Sequence, residues 1–269
     1  MDLIIGYGEI GKAIHKCYGK NKKNVIVYDI KDDNTKKNNK HTPIEFMHIC
    51  FDCVDQDKFI DEVIKYDYKY FPTHIIIHAT TIVGTTAKIY DILQKGLESI
   101  TFSPCTGKHP DLYKSIHKIF FKFYSTLPTK NEDVTGLFNH LFNKIYYNCF
   151  IDELEFSKLL CTTKYGKAIE QATDIGRVCE KHGFDYRFVN TVWDSNYNQG
   201  YSKLGMPQFI RPVLKPCSGK IGGHCIIPNI KKIKDSGIKT SVTEFKLKYL
   251  LSNGNFIKNI FKKLVEIFK

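Results

Sequence analysis

Residues 221–229 read IGGHCIIPN. Two glycines, a histidine and a cysteine share a tight, turn-like stretch that a cysteine packed in a core would not require. A thiol held out on such a loop suits nucleophilic chemistry, because a thiolate attacks carbonyl carbon near neutral pH. Cys225 is therefore the first candidate catalytic residue, with a buried structural thiol as the alternative.

A second chemical signal lies at the start of the chain. GYGEIG places Gly6, Gly8 and Gly11 in G-x-G-x-x-G spacing, after a short apolar run and before a helical pattern. Gly6 would permit the tight turn, Gly8 a close backbone approach to a pyrophosphate, and Gly11 close packing of helix on sheet. The helix start would offer free N–H groups and the positive end of its dipole to phosphate. Asp29 closes the next apolar run, VIVYDI, eighteen residues beyond Gly11. A carboxylate there accepts from ribose hydroxyls and repels a 2′-phosphate, which predicts NAD in preference to NADP. The candidate cofactor residues of this stretch are Gly6, Tyr7, Gly8, Glu9, Ile10, Gly11 and Asp29. The alternative is a glycine turn that binds nothing.

The elements that must position these residues follow from periodicity. Strands are expected in DLII, NVIVYDI, EFMHICFD, THIIIHAT and SITFSPCTG, and later in IFFKFYS and KIYYNCF. Helical patterns follow the glycine turn and occupy DQDKFIDEVIKY. Strands alternating with helices imply a doubly wound parallel sheet, and the unbroken apolar run of THIIIHAT suits a buried parallel strand. Near residue 150 the texture changes to some thirty residues of helical spacing without proline, closed by Gly183. The fold class is α/β: an N-terminal Rossmann-type doubly wound parallel sheet, residues 1–150, then a mainly helical domain, 151–269, carrying the cysteine loop.

Composition excludes several classes. Of 269 residues, 42% are apolar and 25% charged, as in soluble globular chains. No apolar run approaches the roughly 20 residues that a membrane helix needs, and the start lacks the basic flank and long apolar run of a signal peptide. A cytoplasmic protein is expected, without membrane association; the basic amphipathic tail NFIKNIFKKLVEIFK is read as a packed helix. Nine scattered cysteines are an odd number and imply a reducing compartment. The lone C-x-x-C at Cys50–Cys53 has no second ligand pair, so no metal is expected. The formal charge of +12 comes from dispersed lysines in a lysine- and asparagine-rich chain, without the aromatic–basic interleaving of RNA-binding proteins. No nucleic-acid partner is expected.

Taken in order, these pieces resemble the UDP-glucose/GDP-mannose dehydrogenase family. HATTIVGTT is similar to the family's strand-end motif, with Thr80 at the polar position near the reaction centre and the cofactor. ELEFSKLL followed by VCEKHGFDYRFV is similar to its central helix, whose lysine corresponds to Lys158. GKIGGHCIIPN resembles its loop carrying the catalytic cysteine, in the Gly-Gly-His-Cys form of members that act on N-acetylated sugars. The resemblance implies oxidation of a sugar or sugar-nucleotide primary alcohol to a carboxylate in two hydride transfers to NAD. Cys225 would form a thiohemiacetal and then a thioester; Gly222 and Gly223 would let the backbone pass close to substrate. Lys158 would stabilise oxyanion charge or relay the alcohol proton, unless it is a solvated helix lysine. His224 is disfavoured as a base, since neighbours in an extended loop point apart. A homodimer through the long helix is also implied.

The chain departs from that pattern at three polar positions. Asn229 stands where the family has an aspartate four residues after the cysteine, and an amide can orient water but cannot act as a base. Thr162 replaces a common asparagine, and Cys105 follows Pro104 where a glutamate is frequent. The family also continues into a second Rossmann-like domain, where only a short helical tail is expected here. Two other readings compete: a catalytically reduced NAD-binding protein, and a single-step 3-hydroxyacid-type dehydrogenase on a related fold, which needs no cysteine.

Overall fold

The computed structural model describes residues 1–31, 42–217 and 225–245. Most of the polar loop after Asp29, together with Gly222, Gly223, His224 and the amphipathic tail, lies outside the described residues. The chain divides into two compact units, Met1–Leu159 and Leu160–Lys269.

The N-terminal unit is a seven-stranded sheet. Its strands are β1 (Asp2–Ile5), β2 (Val25–Tyr28), β3 (Phe46–Ile49), β4 (His74–Ile77), β5 (Ser99–Phe102), β6 (Lys122–Leu127) and β7 (Ile145–Tyr147). The order is β2-β1-β3-β4-β5-β6-β7. β1 to β5 are parallel, β6 runs antiparallel to β5, and β7 is parallel to β6. The helices are α1 (Glu9–Cys17), α2 (Gln56–Tyr70), α3 (Thr85–Leu93), the single turn α4 (Leu112–Lys114), α5 (Glu132–Leu141) and the start of α6 (Ile151–His182).

β3, β4 and β5 are buried at every position, as expected of parallel strands covered on both faces. Ile75, Ile76 and Ile77 are fully buried, and each stabilises the fold by about 2 kcal/mol through burial. Two clusters lie on the two faces: β1, α2 and α3 supply one, with Leu3, Phe59, Val63 and Ile89; α1, α4 and α5 pack the other, with Ile14, Leu112 and Phe138. Local signals set the ends of the helices. Asp55 caps α2 by accepting from the Lys58 amide at 3.0 Å. Asn131 caps α5 through Val134 at 3.0 Å.

Strand order reverses at β1: the chain steps out to β2 and returns to β3 on the other side. In an open α/β sheet that reversal leaves a crevice at the carboxyl ends of the strands, where ligands bind.

The second unit holds the rest of α6, followed by α7 (Trp193–Lys203) and α8 (Ile226–Asp235). α6 ends at His182, and Gly183 follows at φ +70°. Its left-handed backbone, which glycine adopts without strain, stops the helix. Gly166 on α6 lets α8 approach: a Cβ there would lie 2.6 Å from Ile226 Cγ2. The division between the units falls inside α6, whose start is where the sequence reading placed the boundary. Among the described residues no helix is long and apolar enough to cross a membrane.

Candidate active site

The glycine turn joins β1 to α1 at the crevice. Gly6 has φ +92°, and a Cβ there would meet the Phe51 amide at 2.9 Å. A Cβ on Gly11 would lie 2.0 Å from the Gly6 carbonyl oxygen, so helix and turn meet with no room for a side chain. Gly8 differs: it is exposed, it precedes the first turn of α1, and nothing lies within 4 Å of a Cβ built on it. The first two glycines of the motif thus divide into one that shapes the turn and one that keeps its outer surface open.

Asp29 ties the turn to the end of β2. Its Oδ2 accepts from the Tyr7 amide at 2.6 Å, and its Oδ1 accepts from the Lys31 amide at 2.8 Å. The backbone N–H groups of Lys31 and then Tyr7 hold its carboxyl below the ordinary carboxylate range, so it is ionised at neutral pH. A cleft of about 890 Å³ opens here, lined by Gly6, Tyr7, Gly8, Asp29, Phe51 and Tyr66 among others. That is the size of small-molecule sites in general. It offers apolar walls, an ionised carboxylate for hydroxyl groups, the α1 N-terminus for phosphate, and Lys12 at its margin. Glu9 and Ile10 are the first two residues of α1, directly after the turn, and do not line the cleft. Glu9 Oε2 lies 2.7 Å from His109 Nδ1, and Ile10 packs against the core beneath α1.

The turn after β4 carries Thr80, half-buried, and continues into α3. A residue that sequence reasoning missed anchors it. Glu155, fully buried on the first turns of α6, accepts from Thr81 Oγ1 (3.0 Å), the Gly84 amide (2.6 Å), the Thr86 amide (3.1 Å) and Thr86 Oγ1 (2.7 Å). Burial pushes its carboxyl up to about 7, against the pull of these donors. One turn further along α6, Lys158 donates to the Cys105 carbonyl at 2.6 Å. Lys158 therefore reaches the turn after β5. Cys105 itself is buried, with Lys122 Nζ 3.5 Å from its sulfur.

Cys225 lies in the second unit. It is half-buried and immediately precedes α8, so it occupies the N-terminal cap position of that helix. Its carbonyl accepts from the Asn229 amide at 3.1 Å, and Asn229 is buried. The sequence reading took 221–229 as one loop; residues 226–229 are instead the first turn of α8, because Pro228 sits where a helix needs no N–H donor. The structure thus brings Gly6, Tyr7, Gly8 and Asp29 into one cleft, leaves Gly11 buried in the helix–turn packing beside it, and brings Lys158 to Cys105, and Cys225 and Asn229 to one helix start.

Two further clusters of potential ligands are present. Cys50 and Cys53 are both buried, and burial pushes the Cys50 thiol well above its ordinary range, which suits packing at the end of a strand. At the opposite ends of the strands from the glycine turn, His74 Nε2 lies 3.9 Å from Glu98 and 3.8 Å from Asp133. His74 is buried and both carboxylates are exposed, and burial lowers the pKa of His74.

Fold and glycine turn together define a Rossmann-type sheet followed by a mainly helical part. No protein-family model matches the sequence, and no curated protein does. Solved structures do match. A UDP-D-ManNAc dehydrogenase from Pyrococcus horikoshii is similar with a TM-score of 0.68 at 16% identity, covering 91% of this chain and 66% of that one. A UDP-glucose dehydrogenase from Pyrobaculum islandicum gives 0.62 at 12%, covering 90% and 65%. A 3-hydroxyisobutyrate dehydrogenase from Mycobacterium tuberculosis gives 0.61 at 9%, covering 90% and 89%. These likenesses show the fold. The chain spans about two thirds of the length of the two sugar-nucleotide dehydrogenases.

Proposed function

We propose that the protein is an NAD-dependent dehydrogenase that oxidises a primary alcohol of a sugar or sugar nucleotide to a carboxylate. The observation that carries the reading is the ionised Asp29 carboxylate at the end of β2, fixed by the amides of Tyr7 and Lys31 beside an open Gly8. Asp29 would accept from ribose hydroxyls and repel a 2′-phosphate, and the α1 N-terminus would hold the pyrophosphate. When bound, NAD supplies the hydride acceptor. Thr80 would lie near the reaction centre, Lys158 would stabilise oxyanion charge or take up the alcohol proton, and Cys225 would attack the aldehyde carbon. Asn229 would orient water for release of the thioester. Fold likeness to sugar-nucleotide dehydrogenases supports the substrate class.

A second reading is an NAD-binding protein with reduced catalysis. Cys105 and Asn229 favour it, since both stand where the resembling family has a carboxylate. Thermal shift with NAD, NADP and a panel of sugar nucleotides separates the two. The dehydrogenase reading expects stabilisation by NAD and by one sugar nucleotide; a response to NAD alone favours the second, and no response to either dinucleotide overturns both.

A further inference from the structure

At the ends of the strands opposite the glycine turn, three potential ligands converge from three elements of the N-terminal unit. His74 opens β4, Glu98 immediately precedes β5, and Asp133 stands in the first turn of α5. No spacing in the sequence announces this trio. One ring nitrogen and one oxygen of each carboxylate lie within 4.8 Å of one another. His74 is 1% exposed, whereas both carboxylates stand in solvent. Neither carboxylate pairs with a lysine or arginine among the described residues, although the chain carries 40 such cations against 28 acids.

An acid in the first turn of a helix is ordinary, and exposed acidic groups are common without a ligand. The buried ring distinguishes this cluster. Phe46 stacks on it with ring centroids 5.0 Å apart, and the fully buried Ser99 Oγ bonds its Nδ1 at 2.9 Å. These two contacts aim Nε2 at the carboxylates, 3.9 Å from Glu98 and 3.8 Å from Asp133. Both separations exceed hydrogen-bond reach, so Nε2 makes no hydrogen bond among the described residues. Burial holds the ring below its ordinary range, although Glu98, Asp133 and Glu45 pull the other way. At neutral pH it is a neutral imidazole, the form that offers a lone pair to a metal. A hydroxyl both donates and accepts. Ser99 can donate to Nδ1 while Nε2 keeps its hydrogen, or accept from Nδ1–H and leave Nε2 bare. The second arrangement is how an outer partner orients a ligating histidine.

We propose that His74, Glu98 and Asp133 bind one divalent first-row transition-metal ion, with water completing its coordination. Three bonds form, from Nε2 and from one oxygen of each carboxylate. The neutral ring keeps its single hydrogen, now on Nδ1 toward Ser99, and the two carboxylates neutralise the ion. Metal–ligand bonds of ~2.0–2.2 Å place neighbouring ligand atoms roughly 3–3.5 Å apart, so the exposed carboxylates swing inward by on the order of 1 Å. One imidazole with two carboxylates suits the series from Mn²⁺ to Zn²⁺, whereas Mg²⁺ and Ca²⁺ take all-oxygen sets. The ion would tie the start of β4, the entry to β5 and the first turn of α5 together. No residue of the Asp29 cleft belongs to this site, so it does not rest on the dehydrogenase reading.

Mn²⁺ is the probe, because the nine cysteines would compete for softer ions such as Zn²⁺. In the full chain, loss of the free Mn²⁺ signal in electron paramagnetic resonance should report one ion per chain. Glu98→Gln and Asp133→Asn, both at exposed positions, should each weaken Mn²⁺ by about tenfold or more, and Ser99→Ala by about tenfold through the ring it orients. Glu132→Gln removes a neighbouring carboxylate that lies 3.7 Å from Lys130, and should leave the affinity unchanged. Mn²⁺ should raise the melting temperature of the wild type and not that of the Glu98→Gln, Asp133→Asn double variant. Failure to bind one Mn²⁺ per chain overturns the site. So does an affinity unchanged by Glu98→Gln, Asp133→Asn or Ser99→Ala, or one reduced equally by Glu132→Gln. Failure to bind NAD would sink the dehydrogenase reading and leave this result standing.

Discussion

The Tyr7 amide donates to Asp29 Oδ2 at 2.6 Å, so one carboxylate both braces the glycine turn and faces the cleft that the turn opens. Asp29→Ala removes the brace and the negative charge together. NAD affinity should fall roughly tenfold or more, as for loss of a hydrogen bond to a charged group. NADP should lose less, because the repulsion is gone too. Dissociation constants for both cofactors in both proteins check this; tighter binding of NADP than of NAD by the wild type would sink the cofactor assignment.

Gly8 and Gly11 should separate binding from folding. A Cβ on Gly11 strikes the Gly6 carbonyl, whereas one on Gly8 meets nothing within 4 Å. Gly8→Ala should therefore leave stability within about 0.5 kcal/mol, as for surface positions, yet weaken NAD by crowding the phosphate. Gly11→Ala should lower the melting temperature markedly with no ligand present. Equal melting of the two variants would contradict this division of labour.

The same division explains what could be read from the chain alone. Gly6, Gly11 and Asp29 were legible because their spacing encodes a local strand–turn–helix, and local geometry is what periodicity reports. THIIIHAT was legible as a buried strand for the same reason. Glu155 was not: in ELEFSKLL it looks like any polar residue of a helix, and only tertiary packing sets it against the Gly84 and Thr86 amides. Lys122 was hidden by the abundance of lysine, and His74 by a strand that read as apolar. The start of α8 was missed because the glycines before Cys225 suggested a loop extending through Asn229.

Glu155 gives a pH dependence with a definite sign. Its carboxyl is raised from 4.5 to about 7 in the folded state. A raised acid contributes stability that is full below its unfolded value and is lost as pH rises through the folded one. Stability should therefore fall between about pH 4.5 and 7 by a few kcal/mol at most. Glu155→Gln, uncharged throughout, should lack this component. The difference in melting temperature between wild type and Glu155→Gln, measured across that range, should shift against the wild type as pH rises; a constant difference would refute the assignment.

The second unit exposes Phe184, Phe188, Trp193, Leu204 and Phe209 within a short span of sequence. We propose that a second copy of the chain covers this region and α6 in a homodimer. Isolated surface apolar residues are ordinary, but such a concentration is characteristic of interaction surfaces. Sedimentation should show a dimer at tens of micromolar, and Trp193→Glu should shift it to monomer without changing the melting of the N-terminal unit. A monomeric wild type at that concentration would count against the proposal.

Cys225 precedes α8, where the free N–H groups of a helix start face whatever approaches. If its thiol attacks the aldehyde, Cys225→Ser should still pass the first hydride but stall before acid. Intact mass after incubation with NAD and substrate should then show a retained ester or hemiacetal. Alkylation supplies a sharper contrast. Cys149 and Cys161 are exposed while Cys225 is half-buried, and Cys17, Cys50, Cys53, Cys105 and Cys179 are buried. Accessibility alone ranks Cys149 and Cys161 first. A nucleophile prepared for chemistry should overturn that ranking: Cys225 should react fastest, and NAD with substrate should protect it while leaving Cys149 and Cys161 unchanged. If Cys149 and Cys161 react first and Cys225→Ser still makes acid, Cys225 is a packing residue at a helix start and single-step oxidation becomes the better account.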